Sequence, residues 1–473
     1  MIVRPKEVLE GGLKASVLET CIGEFLIGAE KRRTLRAYYD GTHEIENRRR
    51  ASGMPNNRLS HGFPRYICTV AAGYLAGNPV VYQTDERNSA ALEAVINCYE
   101  RCAVDSVDAE LARMASLYGR SVELVFADGD SMPRVAAIDP ETAFVVYDDT
   151  VESKPLFGVR MLPRLRADGV EDGWMTEVYT DSEIIVHAAR GFGTVGSIIE
   201  RRRHFFGAVP MVEVWNGEDE KGDFEGVISL IDAYDRLQSD RVNDKEQFVD
   251  ALLLLSGCTM ENDDRGRTPG QQLREDKVLV LPDADARAEW LCKQLSETDA
   301  EVLKRALETD IHKLSMVPDL SDEHFAGVTS GVAMRYKLLG LGQLTRVKER
   351  WFREALRCRL RLFSEFLAVR GAPRLEAGKV RMAFTRTLPV NELEQALAMY
   401  QAVVARIDYD YEWLDALNTS DDKFLFPQIE IYQALSTGKG VCHSYTFLYE
   451  YALQQLGVEC LRYIGNTTGD PDD

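Results

Sequence analysis

The chain has 473 residues, 45% of them hydrophobic and 9% aromatic. A single core stops growing near about 250–300 residues, so the chain holds several domains, and its apolar content excludes wholesale disorder. A formal net charge of −20 excludes tight wrapping of nucleic acid, which needs Lys and Arg to replace phosphate counterions; loose passage of DNA stays open.

The nine cysteines form no C-x-x-C pair, which suits free thiols in a reducing compartment. Cys98 and Cys102 share a helical face, but no histidine lies near them in the sequence, and no metal site is expected. The start lacks an apolar signal core, and the most apolar run, Ala251 to Leu255, is far short of the roughly 20 residues that span a bilayer. The expectation is a protein neither secreted nor membrane-embedded.

In chain order, residues 14–39 read as one helix ending near Asp40 and Gly41, followed by a loop with Arg48, Arg49, Arg50, Arg58 and Arg65. A helix over 66–75 stops at Gly77, and a helical block covers 90–116. From Ser121 to Trp215, short runs rich in Val, Ile, Phe and Tyr, such as "SVELVF", "AFVVYD" and "EIIVHAA", predict an antiparallel sheet region. Gly191, Gly193 and Gly196 match a dinucleotide-binding spacing, but "SIIERRRHFF" follows as a returning strand instead of a helix, so no nucleotide site is expected.

From 224 to 255 the apolar positions fall at helical intervals, and between Asp223 and Asp250 eight acidic residues stand against three basic ones. One face of this helix is expected to be strongly negative; a solvated surface helix is the plain alternative. Residues 257–295 hold a polar loop and two strand candidates, "KVLVL" and "AEWLCK". The next helix opens with Ser296 and Asp299 in capping-box spacing and carries the stripe Leu303, Leu307, Ile311 and Leu314. After a loop, a long helix kinked near Gly340 and Gly342 bears nine Lys or Arg and two Glu between Arg335 and Arg361. Pairing with acidic helices of neighbouring subunits is the favoured use of that charge, contact with DNA phosphates the other.

The order of elements and several stretches resemble the portal proteins of long-tailed phages. The stretches are "YYDGTHEI" (38–45), "NNRLSHGFPRYIC" (56–68), "AGYLAGNPV" (72–80), "HFFGAVPMVEVWN" (204–216), "VISLIDAYDRLQSDRVNDKEQF" (227–248) and "VPDLSDEHFAGVTSGVAMRYKLLGL" (317–341). The resemblance implies an α+β chain with a mixed α/β wing over 1–222, a stem helix over 223–256 and a small β-rich clip over 257–295. A second stem helix follows over 296–316, a tunnel loop over 317–331, and a long kinked helix returning to the wing over 332–392. It places Asp319, Ser321, Asp322, Glu323, His324, Thr329 and Ser330 near DNA, Asp232, Asp235, Asp240 and Asp244 on the acidic stem, and Arg346, Lys348, Arg350, Arg353 and Arg357 on the basic helix.

The implied function is a non-enzymatic subunit of a ring of about a dozen copies at one capsid vertex. Double-stranded DNA would pass through it without sequence recognition, and an acidic wall would let phosphate slide. Implied partners are terminase, the capsid, the scaffold and head-completion proteins, in a virion assembled in the bacterial cytoplasm, with no membrane, metal or cofactor.

The portal likeness fades after about Pro389. Residues 393–473, with "QAVVARIDYDYEWL" and "GKGVCHSYTFLYEYALQQLGVECLRYIG", resemble the first half of a transglutaminase-like cysteine enzyme, a partial α-helical module. Cys442 before an amphipathic helix matches that family's nucleophile turn, since a helix N-terminus favours thiolate. The His and Asp that such a triad needs are not found up to Asp473, and His443 does not match the catalytic position. The expectation is therefore an incomplete, inactive segment, with a cysteine enzyme of acyl-transfer or peptide-cleaving type as the alternative function.

Overall fold

A computed structural model of the chain describes residues 1–52, 54–248, 252–256, 266–268, 287–291, 297–321, 336–386, 400–405, 408–409, 437, 439–440 and 442–455. The chain divides into one unit of Met1–Asp319 with Gly340–Arg386 and a second of Leu320–Leu339 with Thr387–Asp473.

The first unit begins with strand β1 (Ile2–Arg4) and helices α1 (Ala15–Ile27) and α2 (Ala29–Asp40). The single helix expected over 14–39 is thus two. At Gly28 the backbone leaves helical geometry, and Arg32 folds back to donate to the Phe25 carbonyl at 2.8 Å while its guanidinium lies over the Phe25 ring. Helix α3 (Phe63–Ala76) carries Pro64 in its first turn, where a missing N–H costs nothing. After strand β2 (Val81–Gln83), α4 (Glu86–Cys102) is capped by the Asp85 carboxylate accepting from the Asn88 N–H at 3.0 Å. The block expected over 90–116 is also split, because Ala103 takes a left-handed conformation (φ 51°) between α4 and α5 (Val104–Tyr118). Gly119 then ends α5 at φ 84°, and a Cβ there would stand 2.2 Å from the Glu220 carbonyl oxygen, so glycine is required both for torsion and for space.

Strands β3 (Arg120–Ala127), β4 (Pro133–Ile138), β5 (Ala143–Asp148), β6 (Pro155–Leu165), β7 (Glu171–Tyr179), β8 (Glu183–Ala189), β9 (Ile198–Arg203) and β10 (Met211–Trp215) fill the region expected to be β-rich. They form a six-stranded sheet in the order β1-β5-β6-β7-β8-β9 and a three-stranded sheet in the order β10-β3-β4. All pairs are antiparallel except β1 with β5. Strand β5 is buried on both faces: Phe144 and Val146 meet Leu18, Ile22 and Phe25 of α1, while Ala143, Val145 and Tyr147 meet Val122, Leu124 and Met211 of the smaller sheet. Fully burying such a side chain stabilises by about 1.5–3 kcal/mol, so this two-faced strand is the centre of the core shared by the two sheets.

Helix α6 (Ile228–Phe248) follows, then strand β11 (Leu252–Ser256), which pairs antiparallel with β12 (Arg287–Leu291). The helix expected to reach Leu255 does not, since Leu252–Ser256 is a strand; a five-residue apolar run fits either state by periodicity alone. The segment "KVLVL" and most of the expected clip lie outside the described residues. Helix α7 (Glu297–Ser315) runs beside α6, and α8 (Leu339–Val369) ends at Val369, with Gly371 turning at φ 91° just beyond it. Strand β13 (Arg381–Ala383) closes on β2.

In the second unit, two-residue strands β14 (Asp408–Tyr409) and β15 (Lys439–Gly440) pair in parallel ahead of helix α9 (Cys442–Gln455), and Val403 and Leu448 are buried together beside Tyr445 and Tyr449.

Candidate functional site

Helix α6 presents a polar stripe, Asp232, Asp235, Ser239, Asn243 and Glu246, at intervals of three and four, which one face of a helix brings into line. Residues 57–61, an arm of the segment between α2 and α3, lie along that stripe. Alternate backbone amides donate to it: His61 N–H to Asp235 Oδ1 at 2.9 Å, Leu59 N–H to Ser239 Oγ at 2.9 Å and Asn57 N–H to Asn243 Oδ1 at 2.6 Å. Two arm residues keep step with four helical ones because about 3.3 Å per extended residue and about 1.5 Å per helical residue give nearly equal advances, the arm running antiparallel to α6.

Side chains complete the contact. Tyr38 donates its hydroxyl to Asp232 at 2.7 Å, His43 Nδ1 lies 2.5 Å from Asp235 Oδ2, and His61 Nδ1 lies 2.7 Å from Asp235 Oδ1. Arg48 donates to Asp240 at 2.6 Å, and Arg50 pairs with the same carboxylate. Burial works against the charge on His43, but the hydrogen bond and attraction of Asp235 outweigh it and hold the imidazole above its usual range. Burial likewise works against the Asp235 carboxylate, and His43 and His61 hold it below the usual range.

This arrangement corrects the expectation of an open acidic wall on the stem. Asp235 has no exposed surface, Asp232, Asp240 and Asp244 are half-buried, and the arm's Tyr38, His43, Arg48, Arg50 and His61 take up the carboxylates of Asp232, Asp235 and Asp240. The stripe holds α2 and the segment after it to α6.

Helices α6 and α7 are joined by Tyr234 donating to Glu308 at 2.7 Å and Arg241 donating to Glu301 at 3.2 Å. Of the stripe expected on α7, Ile311 is fully buried, but Leu303 and Leu314 are 50% and 61% exposed, and Val302 beside them 64%. The chain just after α7 is fixed: Val317 is buried, its carbonyl lies 2.9 Å from His312 Nδ1, and Tyr66 donates to the Pro318 carbonyl at 2.8 Å. Asp319 and Ser321 follow among the described residues; Asp322, Glu323, His324, Thr329 and Ser330 lie outside them.

The basic helix is less uniform than its composition. Lys348 is buried against Asp223, which also accepts from Ser116 and from Asn216, so it reaches neither DNA nor a neighbouring subunit. Arg353 pairs with Glu349 at 2.5 Å and Arg357 with Glu354 at 2.6 Å within the same helix, while Arg346 and Arg350 are exposed.

Sequence reasoning missed Arg359, which is fully buried with Asp108 Oδ1 2.7 Å from Nη1 and Glu123 Oε2 2.8 Å from Nε. Burial raises both carboxyl groups, against the lowering effect of Arg359. The available signal was its place in the apolar row Phe352, Leu356, Leu360 and Phe363, where a lone cation needs a buried partner.

The glycine cluster lies in the turn between β8 and β9, where Thr194 donates its hydroxyl to the Gly191 carbonyl at 2.8 Å, and a strand follows it as expected. Cys442 is the first residue of α9; its side chain lies outside the described ones.

Residues 21–407 match the profile of the family described as "Phage portal protein, SPP1 Gp6-like". A portal protein of Bacillus phage SPP1 is 25% identical over 405 residues, covering 78% of this chain and 77% of that protein. A portal protein of Clostridium phage phiCD119 is 23% identical over 361 residues, covering 72% of this chain and 77% of the relative. Solved structures similar to the chain include one described as the neck of an empty gene transfer agent particle computed with C6 symmetry, at 12% identity and TM-score 0.41, covering 80% of this chain and 90% of that one. Another is the virion of the native gene transfer agent particle, at 13% identity and TM-score 0.42, covering 82% and 93%. The family match supports the portal reading over the cysteine-enzyme alternative, and it ends at residue 407, ahead of Cys442. The chain belongs to the phage portal protein family, SPP1 Gp6-like.

Proposed function

We propose that this portal-family chain assembles with itself into a closed ring of about a dozen subunits at one capsid vertex, through which double-stranded DNA passes during packaging and ejection. The observation that carries the reading is the family match over residues 21–407, joined by the polar contact that fastens a β-rich wing to a two-helix stem. The exposed Val302, Leu303 and Leu314 on α7 support self-association, because clustered apolar side chains on a stem helix are better placed against a neighbour than in water. Terminase at the clip, the capsid, the scaffold and head-completion proteins are the further partners, in a particle built in the bacterial cytoplasm. The role is structural, without catalysis.

In the same reading the loop after Asp319 approaches DNA, and Arg346 and Arg350 are the basic-helix side chains available to a neighbour or to phosphate. Electron microscopy of the purified full chain tests the proposal: rings with a central hole are expected. A uniform field of monomers would overturn it.

A further inference from the structure

The six-stranded sheet ends in β1 on one side and β9 on the other, and both are edge strands. Strand β9 is exposed at all six positions, with Ile198 and Ile199 at 45% and 53% exposure. It carries Arg201, Arg202 and Arg203, and exposed Arg190 stands just after β8. Their partners are few and at the surface: Glu183 with Arg201 at 3.1 Å and Glu200 with Arg202 at 3.7 Å. In a chain of net charge −20 this is a locally basic edge.

The opposite edge has the other sign. Exposed Glu7 and Glu10 follow β1 directly, exposed Asp149 and Glu152 stand in the turn after β5, and the amino group of Met1 meets Glu220, which brings exposed Glu218 and Asp219 beside the start of β1. Lys6 and Lys154 offset part of this through Asp148 and Glu152. Val3 in the middle of β1 is 40% exposed.

Strand direction also fits. From β5 to β9 each neighbour is antiparallel, so β9 points the same way as β5, and β1 is parallel to β5. Strands β1 and β9 therefore run in the same sense, and a copy placed beside the first by a small rotation sets its β1 alongside the first copy's β9. Charged edge strands commonly serve to prevent pairing. Here the opposite signs at the two edges of one sheet make the same charges complementary between copies and repulsive in the edge-to-like-edge arrangement.

We infer that the β9 edge of one copy docks on the β1 edge of the next, so that the basic and acidic rims of this sheet form a head-to-tail contact between wings. This rests on the ring reading above and names a surface for it. A heterologous contact of this kind closes into a ring when its rotation divides the circle.

Two variants test it. In the first, Arg201, Arg202 and Arg203 are all changed to Glu; in the second, Glu7, Asp149 and Glu218 are all changed to Arg. All six side chains are exposed, so each variant is expected to keep the wild-type melting temperature. Each alone is expected to need about tenfold or more protein to reach half-assembly, since like charges then face each other. Mixed in equal amounts, they are expected to recover rings by alternating, because each variant's edge then meets the opposite sign.

Normal rings from both single variants, beside normal wild-type rings, would overturn this contact while leaving the ring reading intact. Failure of the wild type itself to form rings would instead remove the ring reading. Normal assembly of the first variant with lost retention of duplex DNA would assign the arginines to phosphate and likewise overturn the inference.

Discussion

His43 and Asp235 form a pair closed off from solvent, Nδ1 to Oδ2 at 2.5 Å, with both side chains fully buried. The other ring nitrogen lies 3.0 Å from the Tyr38 carbonyl oxygen, which can only accept, so Nε2 holds a proton and the carboxylate favours a second one at Nδ1. The raised His43 keeps its proton to higher pH in the folded chain than in the unfolded one. Its contribution is therefore complete below about pH 6.5 and is lost as pH rises through the folded value. The lowered Asp235 contributes above its unfolded value of about 3.9 and loses that contribution as pH falls through the folded one. The clamp is strongest between these limits. His43→Ala is expected to cost about 3 kcal/mol near pH 5.5, the low end for breaking a buried pair because Asp235 keeps His61, and less as the pH is raised. Denaturant melts across pH check this; a cost that does not vary with pH would contradict it.

Arg359 faces two buried carboxylates, so that corner of the fold carries one negative charge too many unless a proton is held there. The folded chain binds that proton to higher pH, and stability falls as pH rises from the unfolded carboxyl range, about 4, through the raised folded values. Glu123→Gln keeps an oxygen for the guanidinium and removes the excess charge. It is expected to be neutral or stabilising at pH 7 and to flatten the pH dependence. Arg359→Ala leaves two carboxylates buried without their cation and is expected to cost about 3–5 kcal/mol. Equal losses for both variants would show that the charge balance is not the controlling feature.

These two networks also mark where the sequence stopped being readable. The strands from Ser121 to Trp215 and the returning strand after the glycine cluster were legible because apolar alternation and turn residues are local signals. The breaks at Gly28 and Ala103 were not, since each is set by the torsions of a single residue between two helical stretches. The acidic excess of α6 was visible, but its destination was not. Whether Asp235 meets water or His43 depends on a contact 192 residues apart, and nothing in the helix itself records it. The same holds for Arg359 and Glu123, 236 residues apart.

Lys348 and Arg357 stand nine positions apart in one basic helix and have opposite roles. Lys348 is almost fully buried against Asp223, whereas Arg357 is half-exposed with Glu354 three residues away. Lys348→Ala is expected to lower stability by about 3–5 kcal/mol, and Arg357→Ala to stay within about 0.5 kcal/mol. Urea unfolding of the two variants checks this; similar small losses would place Lys348 among surface charges after all.

Asp322 and Glu323 follow the anchored stretch Val317–Pro318 in the loop that the portal resemblance brings close to DNA. Reversing both to Lys changes the charge by four per subunit, and in a ring of about a dozen copies that sums to nearly fifty charges around one duplex. Each added cation near phosphate releases a condensed counterion, so retention would strengthen steeply as salt falls. The Asp322→Lys, Glu323→Lys variant is therefore expected to form normal rings yet stall DNA during packaging, with partial relief at higher salt. In vitro packaging of a labelled duplex, read as length protected against time, measures it. Wild-type packaging rates at low salt from intact rings would take this loop out of the DNA path.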